Sequence, residues 1–99
     1  MKDKGKIHAV DLDGHLCSTA WTPEQCLTAK PNLKRIEALR KIYFDGIVII
    51  YTARRDELIS NTLIWLKRNN VPYHAISNIK IPADKYYDTK DKFGYLDNK

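Results

Sequence analysis

Cysteine is scarce in this 99-residue chain: Cys17 and Cys26 are its only thiols, and no Cys-x-x-Cys pair exists. With 43% hydrophobic residues the chain has apolar material for its own core, so a disulfide scaffold is not expected and both cysteines should be free. His8, His15 and His74 are too scattered along the sequence to suggest a zinc site. Long apolar runs are also missing. The longest, Ile47–Tyr51, is far short of a membrane span, so no membrane partner is expected. The first six residues are charged and lack the apolar core of a secretory signal, which makes a cytoplasmic location the expectation. No repeat or low-complexity stretch interrupts the chain, and its length suits one domain, residues 1–99.

What the chain does have is positive charge. Seventeen basic residues against twelve acidic ones give a net +5. That balance favours anionic partners: phosphorylated small molecules, nucleic acid or acidic glycans. It selects none of them, because the lysines are spread along the chain and leave no local nucleic-acid signature.

Hydrophobic patterning predicts an α/β domain. Residues 6–11 form the first strand, with Ile7, Ala9 and Val10 supplying apolar side chains. A polar stretch to about Lys30 follows, long enough to be functional or to hide a helical turn. Pro31 suits the first turn of a helix whose apolar face is Leu33, Ile36, Leu39, Ile42 and Tyr43. Asp45-Gly46 ends it, the glycine being free to turn left-handed. Ile47–Tyr51 is a β-branched run expected of a parallel strand covered on both faces. Asp56 is a plausible cap for a second helix carrying Ile59, Thr62, Leu63 and Leu66, stopped at Asn69-Asn70. Residues 73–76 read as a third strand, and Tyr86-Tyr87 begins a fourth that ends at Asp88. The tail, with Phe93, Tyr95 and Leu96, has the composition of one more short element. Alternating strands and helices imply a small parallel sheet of about four to five strands in a three-layer, Rossmann-like fold.

In such sheets ligands bind outside the carboxyl ends of the strands. Asp11, Thr52 and Asp88 each fall at or just after such an end. Asp11 and Asp13 are two apart, so on an extended chain they face the same way. Carboxylates aimed into one volume repel, and a divalent cation such as Mg2+, which prefers carboxylate and phosphate oxygens, relieves that repulsion. Gly14 allows a sharp turn and a close ligand approach. The same tetrad is also what an ordinary acidic turn looks like. Thr52 either donates to a phosphate oxygen or simply ends its strand. Lys80 and Lys85 either neutralise the site or are surface lysines, and Asp88 and Asp91 either complete a metal shell or are exposed acids. Arg54 and Arg55 either meet an anionic substrate or pair on the surface. His8 and His74 read most simply as residues packed in or beside the sheet.

Taken in order, these segments resemble the haloacid dehalogenase superfamily of phosphohydrolases. The matching residues are Asp11-Leu12-Asp13-Gly14, Thr52-Ala53-Arg54, Lys80-Ile81-Pro82-Ala83-Asp84 and Tyr87-Asp88, spanning about residues 6 to 91. The chain is most similar to small bacterial and phage members, often labelled capsular-polysaccharide-biosynthesis phosphatases. The resemblance implies that Asp11 is the nucleophile, forming an aspartyl-phosphate, and that Asp13 is the acid/base. It implies that Thr52 holds a phosphoryl oxygen and Lys80 stabilises Asp11 and the developing charge. Phosphate contacts would come from Leu12, Gly14, Ala53 and Arg54. Magnesium would be held by Asp11, the Asp13 carbonyl and Asp88, with Asp91 as a further acid. Two positions depart from the pattern. His15 stands where the family usually has threonine or another small residue, and Thr89 follows Asp88 where it usually pairs aspartates.

The loop containing Trp21 is too short for the cap domain that family members insert there, so the site should be open to a large substrate or closed by a second copy of the chain. The resulting expectation is a magnesium-dependent phosphatase of phosphomonoesters, such as a sugar phosphate or nucleotide. The alternatives are a weakened binding or regulatory protein on the same fold, motivated by Thr89, and a phosphatase of nucleic-acid ends, motivated by the open site and the charge. A receiver domain is set aside, because its phosphorylated aspartate should follow the middle strand, where this chain has Thr52.

Overall fold

The structure is a computed structural model in which residues 5–79 and 81–87 are described. Four parallel strands make one sheet: β1 (Ile7–Asp11), β2 (Ile47–Tyr51), β3 (Ala75–Ser77) and β4 (Lys85–Tyr87), in the order β3-β2-β1-β4. Between them run α1 (Pro23–Thr28), α2 (Leu33–Asp45) and α3 (Ile59–Arg68), the last entered through a single tight turn, Asp56–Leu58. Helices flanking a parallel sheet define a small Rossmann-like α/β fold, as patterning predicted. Among the described residues no helix is long and apolar enough to cross a membrane.

Register explains which residues form the core. β1 pairs with β2 as His8 with Val48 and Val10 with Ile50, and with β4 as Val10 with Tyr87, so these five side chains share one face of the sheet. All five are buried, and the apolar ones cluster with Ile36, Leu39, Trp65 and Leu66 from the helices. On the other face of β2, Ile47 is exposed and Ile49 and Tyr51 are half-buried, so this strand is fully covered on one side only, not both.

Several boundaries differ from the sequence reading, each for a local reason. The long stretch after β1 contains α1, held by a capping box in which the Thr22 hydroxyl accepts from the Gln25 N–H while the Gln25 side chain accepts from the Thr22 N–H. Pro31 lies outside α2, bridged to Cys17, and Asn32 caps the helix by accepting from the Arg35 N–H. Leu33 is exposed, leaving Ile36 and Leu39 as the buried positions. In α3 the buried face is Thr62, Trp65 and Leu66, while Leu63 is partly exposed; the Trp65 indole N–H donates to the Ala29 carbonyl at 2.7 Å, which seats α1 on α3. Asp56 does not cap α3. Its carboxylate instead accepts from the Asn78 side chain at 3.2 Å.

Gly46 is extended (φ −117°), not left-handed. Its reason for being glycine is space: a Cβ there would stand 2.6 Å from Cδ2 of the buried His8 ring. β3 begins at Ala75 and not at Tyr73 because His74 interrupts the ladder. Its main-chain N–H donates to the Val48 carbonyl, but the Val48 N–H donates to the His74 ring Nδ1 at 3.0 Å, a side chain standing in for a strand. At the end of α3, Asn70 takes the left-handed conformation (φ 53°) that stops the helix. The expected end of β4 at Asp88 and the tail element lie outside the described residues.

Candidate functional site

Because all four strands are parallel, their carboxyl ends share one edge, and the segments after β1 and β2 meet there. The strand order places later strands on either side of β1, so the crevice beside β1 is where an open α/β sheet takes its ligand. A cleft of about 550 Å³ lies at this place, lined by Asp11, Asp13, Trp21, Ala53, Arg54 and Arg55, among others.

The turn after β1 is built around one carbonyl. Leu12 is fully buried in the core, and its main-chain oxygen accepts from the N–H groups of His15, Leu16 and Cys17. Folding three donors onto one acceptor needs a left-handed residue, which Gly14 supplies at φ 77°. Neither Leu12 nor Gly14 lines the main cleft. Gly14 and His15 line a second hollow of about 310 Å³ beside Lys30 and Arg35. The His15 ring is buried, so it neither crowds nor extends the Asp11 cleft.

Asp13 and Arg54 form the central contact. Arg54 Nη2 lies 2.6 Å and Nε 3.0 Å from the Asp13 carboxylate, a two-pronged ion pair. The guanidinium is committed on its remaining side as well: Nη1 donates to the Thr62 hydroxyl at 2.9 Å, and Nη2 approaches Cys17 Sγ at 3.5 Å. Thr62 passes the chain of bonds to the Leu58 carbonyl, and the Ala20 N–H adds a donor to Asp13. The side chain of Arg54 is 2% exposed and that of Asp13 is 24% exposed. Burial works against the charge on Arg54, but the hydrogen bonds and charge of Asp13 outweigh it and hold the guanidinium pKa above its ordinary value. Burial likewise pushes the Cys17 thiol up to about 12, against the pull of Arg54, so it stays protonated and unreactive at neutral pH.

Surface pairing therefore describes Arg55, which meets Glu57 at 3.0 Å with most of its side chain in solvent, and not Arg54. Thr52 is buried beneath the same turn. Its hydroxyl oxygen accepts from the Arg54 N–H at 3.0 Å, and it is not among the residues lining the cleft. Ala53, the next residue, does line it and is exposed. Lys85 sits opposite His8 in the β1–β4 register, three residues before Asp11 and so about 10 Å from the functional edge. Asp84 has a structural task, accepting from the Ile7 N–H at 2.7 Å where β1 starts. Lys80, Asp88, Thr89 and Asp91 lie outside the described residues.

Among the described residues no group of three His, Cys, Asp or Glu side chains is placed to hold a metal ion. In kind, the donors fit magnesium: Asp11 offers hard carboxylate oxygens in the cleft. In number they fall short without Asp88 and Asp91, which lie beyond the described set, and the Asp13 carboxylate, held by Arg54, does not make up the difference. Sequence reasoning missed Cys17 and Thr62, the partners that orient Arg54. For Thr62 the signal was a hydroxyl on the apolar face of a helix.

No family model and no curated protein matches the chain. Among solved structures, a crystal structure of a protein from Vibrio cholerae superposes with a TM-score of 0.60 at 27% identity, covering 72% of this chain and 67% of that one. A conserved protein from Bacteroides thetaiotaomicron superposes with a TM-score of 0.69 at 18% identity, covering 90% of this chain and 79% of that one. The second likeness supports the fold. Neither bears on activity.

Proposed function

We propose that the chain is a magnesium-dependent phosphatase of the haloacid dehalogenase type, acting on a phosphomonoester. The observation that carries this reading is the meeting of Asp11 and Asp13 with Ala53 and Arg54, from the turn after β2, in one cleft at the carboxyl edge of a parallel sheet. These are separate sequence segments, and the family resemblance orders them in the same way.

In this reading an Asp11 carboxylate oxygen attacks phosphorus as the bond to the leaving oxygen breaks, giving an aspartyl-phosphate. Asp13 gives a proton to the leaving oxygen, then takes one from the water that hydrolyses the intermediate. Arg54 fixes Asp13 in place for both steps; to carry the proton, Asp13 gives up part of that grip. Thr52 shapes the turn by accepting the Arg54 N–H; to hold a phosphoryl oxygen, the role the resemblance gives it, its buried hydroxyl would have to be uncovered toward the cleft. Lys80 stabilises Asp11. Magnesium, held by Asp11, the Asp13 carbonyl and Asp88, with Asp91 as a further acid, would neutralise phosphate charge when bound.

The test is release of phosphate from an aryl phosphate with and without magnesium, using wild type and Asp11→Asn. Magnesium-dependent turnover that Asp11→Asn abolishes is expected, and turnover unaffected by that substitution would sink the assignment. A second reading, a binding protein with weakened catalysis, draws on the grip of Arg54 on Asp13. It predicts calorimetric binding of phosphate analogues without turnover. The cytoplasmic location belongs to the same proposal.

A further inference from the structure

Phosphate chemistry leaves one wall of the cleft without a task. Trp21 lines it with 77% of its surface exposed, the opposite of the usual fate of a tryptophan. Its main chain is nevertheless firmly held. The Trp21 N–H donates to Gln25 Oε1 at 2.7 Å beside the α1 capping box, and the next residue but one, Pro23, accepts from the Asn61 side chain on α3 at 2.9 Å. An indole is thus displayed at the cleft from a backbone anchored to two helices.

At about 550 Å³ the cleft is far larger than a phosphate group and lies in the range of sites for whole small molecules. Its lining divides in two. By chemistry, Asp11, Asp13, Arg54 and Arg55 are its charged members, while Ala20, Trp21, Ala53 and Leu58 are its apolar ones. A sugar ring offers that apolar part only a small C–H face rimmed by hydroxyls that must keep their water or find partners. A planar base has an apolar face and needs only a stacking surface, which an indole supplies. Arg55, also on the cleft, is exposed but paired with Glu57 at 3.0 Å, so a ligand phosphate would have to compete with that carboxylate for it.

Resting on the phosphatase reading, we propose that the substrate is a nucleoside phosphate whose base stacks on Trp21 while its phosphate reaches Asp11. The source is either a free mononucleotide or the end of a single strand, since both present the same base and phosphate.

Binding tests this without requiring turnover. Trp65, the other tryptophan, is 2% exposed, so fluorescence quenching by a ligand reports on Trp21. Saturable quenching by adenosine 5′-monophosphate, and none by glucose 6-phosphate, is expected. By calorimetry Trp21→Ala should weaken nucleotide binding about tenfold, with Trp21→Phe recovering most of it. Equal affinity for the sugar phosphate, or wild-type nucleotide affinity in Trp21→Ala, overturns the proposal. Quenching without phosphate release upholds the stacking site and refutes the phosphatase reading; phosphate release without quenching does the reverse. Tighter, steeply salt-dependent binding of 5′-phosphorylated trithymidylate than of thymidine 5′-monophosphate assigns the strand end, and equal binding assigns the free nucleotide.

Discussion

Replacing Arg54 by methionine removes a buried charge while keeping much of the packing volume. Asp13 loses donors at 2.6 and 3.0 Å, and Thr62 loses one at 2.9 Å. Breaking a buried ion pair from one side costs about 3–5 kcal/mol, because the remaining charge is left uncompensated. Here Asp13 keeps 24% of its side chain in solvent and the Ala20 N–H, so the lower end applies, about 3 kcal/mol. Against a typical domain stability of about 5–15 kcal/mol, the variant folds but melts early. The assay is urea unfolding of wild type, Arg54→Met, Asp13→Asn and the double variant. The cycle should return a coupling of about 2 kcal/mol between the two positions. Arg54→Lys should not rescue it, since an ammonium cannot span Asp13 and Thr62 together. A coupling below about 0.5 kcal/mol, the value of an exposed pair, would show that this contact does not organise the site.

Gly46→Ala should lower stability by about 1–3 kcal/mol, because its Cβ would press on a buried His8 ring; an unchanged Tm in calorimetry would refute the close-approach account. Alkaline stability should depend on Cys17. Its folded pKa is raised from 9.0 to about 12, so the unfolded thiol ionises first and stability falls as pH rises through that window, by up to about 4 kcal/mol. Urea titrations under reducing conditions at pH 8 and pH 10.5 should show a steeper loss for wild type than for Cys17→Ala, and parallel losses would count against it. Asp11→Asn should bind a phosphate ester and not turn it over, as phosphate release and calorimetry together would show.

The apolar run of β2 and the apolar periodicity of α2 were legible because period and length are local properties. So was the convergence of Asp11 with the Thr52 turn, which follows from parallel strands ending at one edge. Other features depended on partners far along the chain. Nothing in the sequence around Gly46 reveals that residue 8 occupies its missing side chain. His74 looked like a strand residue, and only its distance from Val48 shows that its ring replaces a backbone partner. Arg54 was assigned to substrate or surface because its burial depends on Thr62 and Cys17 folding over it. The Thr22-Pro23-Glu24-Gln25 capping signature was readable, and it marks α1 within what otherwise scans as a loop.

The ring of His74 also limits what can be added to the sheet. By ending the ladder with a side chain, it leaves β3 only three residues long at the sheet's edge. An incoming extended segment finds there too few main-chain donors and acceptors to template a stable new strand. A single imidazole thus serves as a stop against edge-to-edge aggregation while the carboxyl edge, at the other end of the strands, stays open.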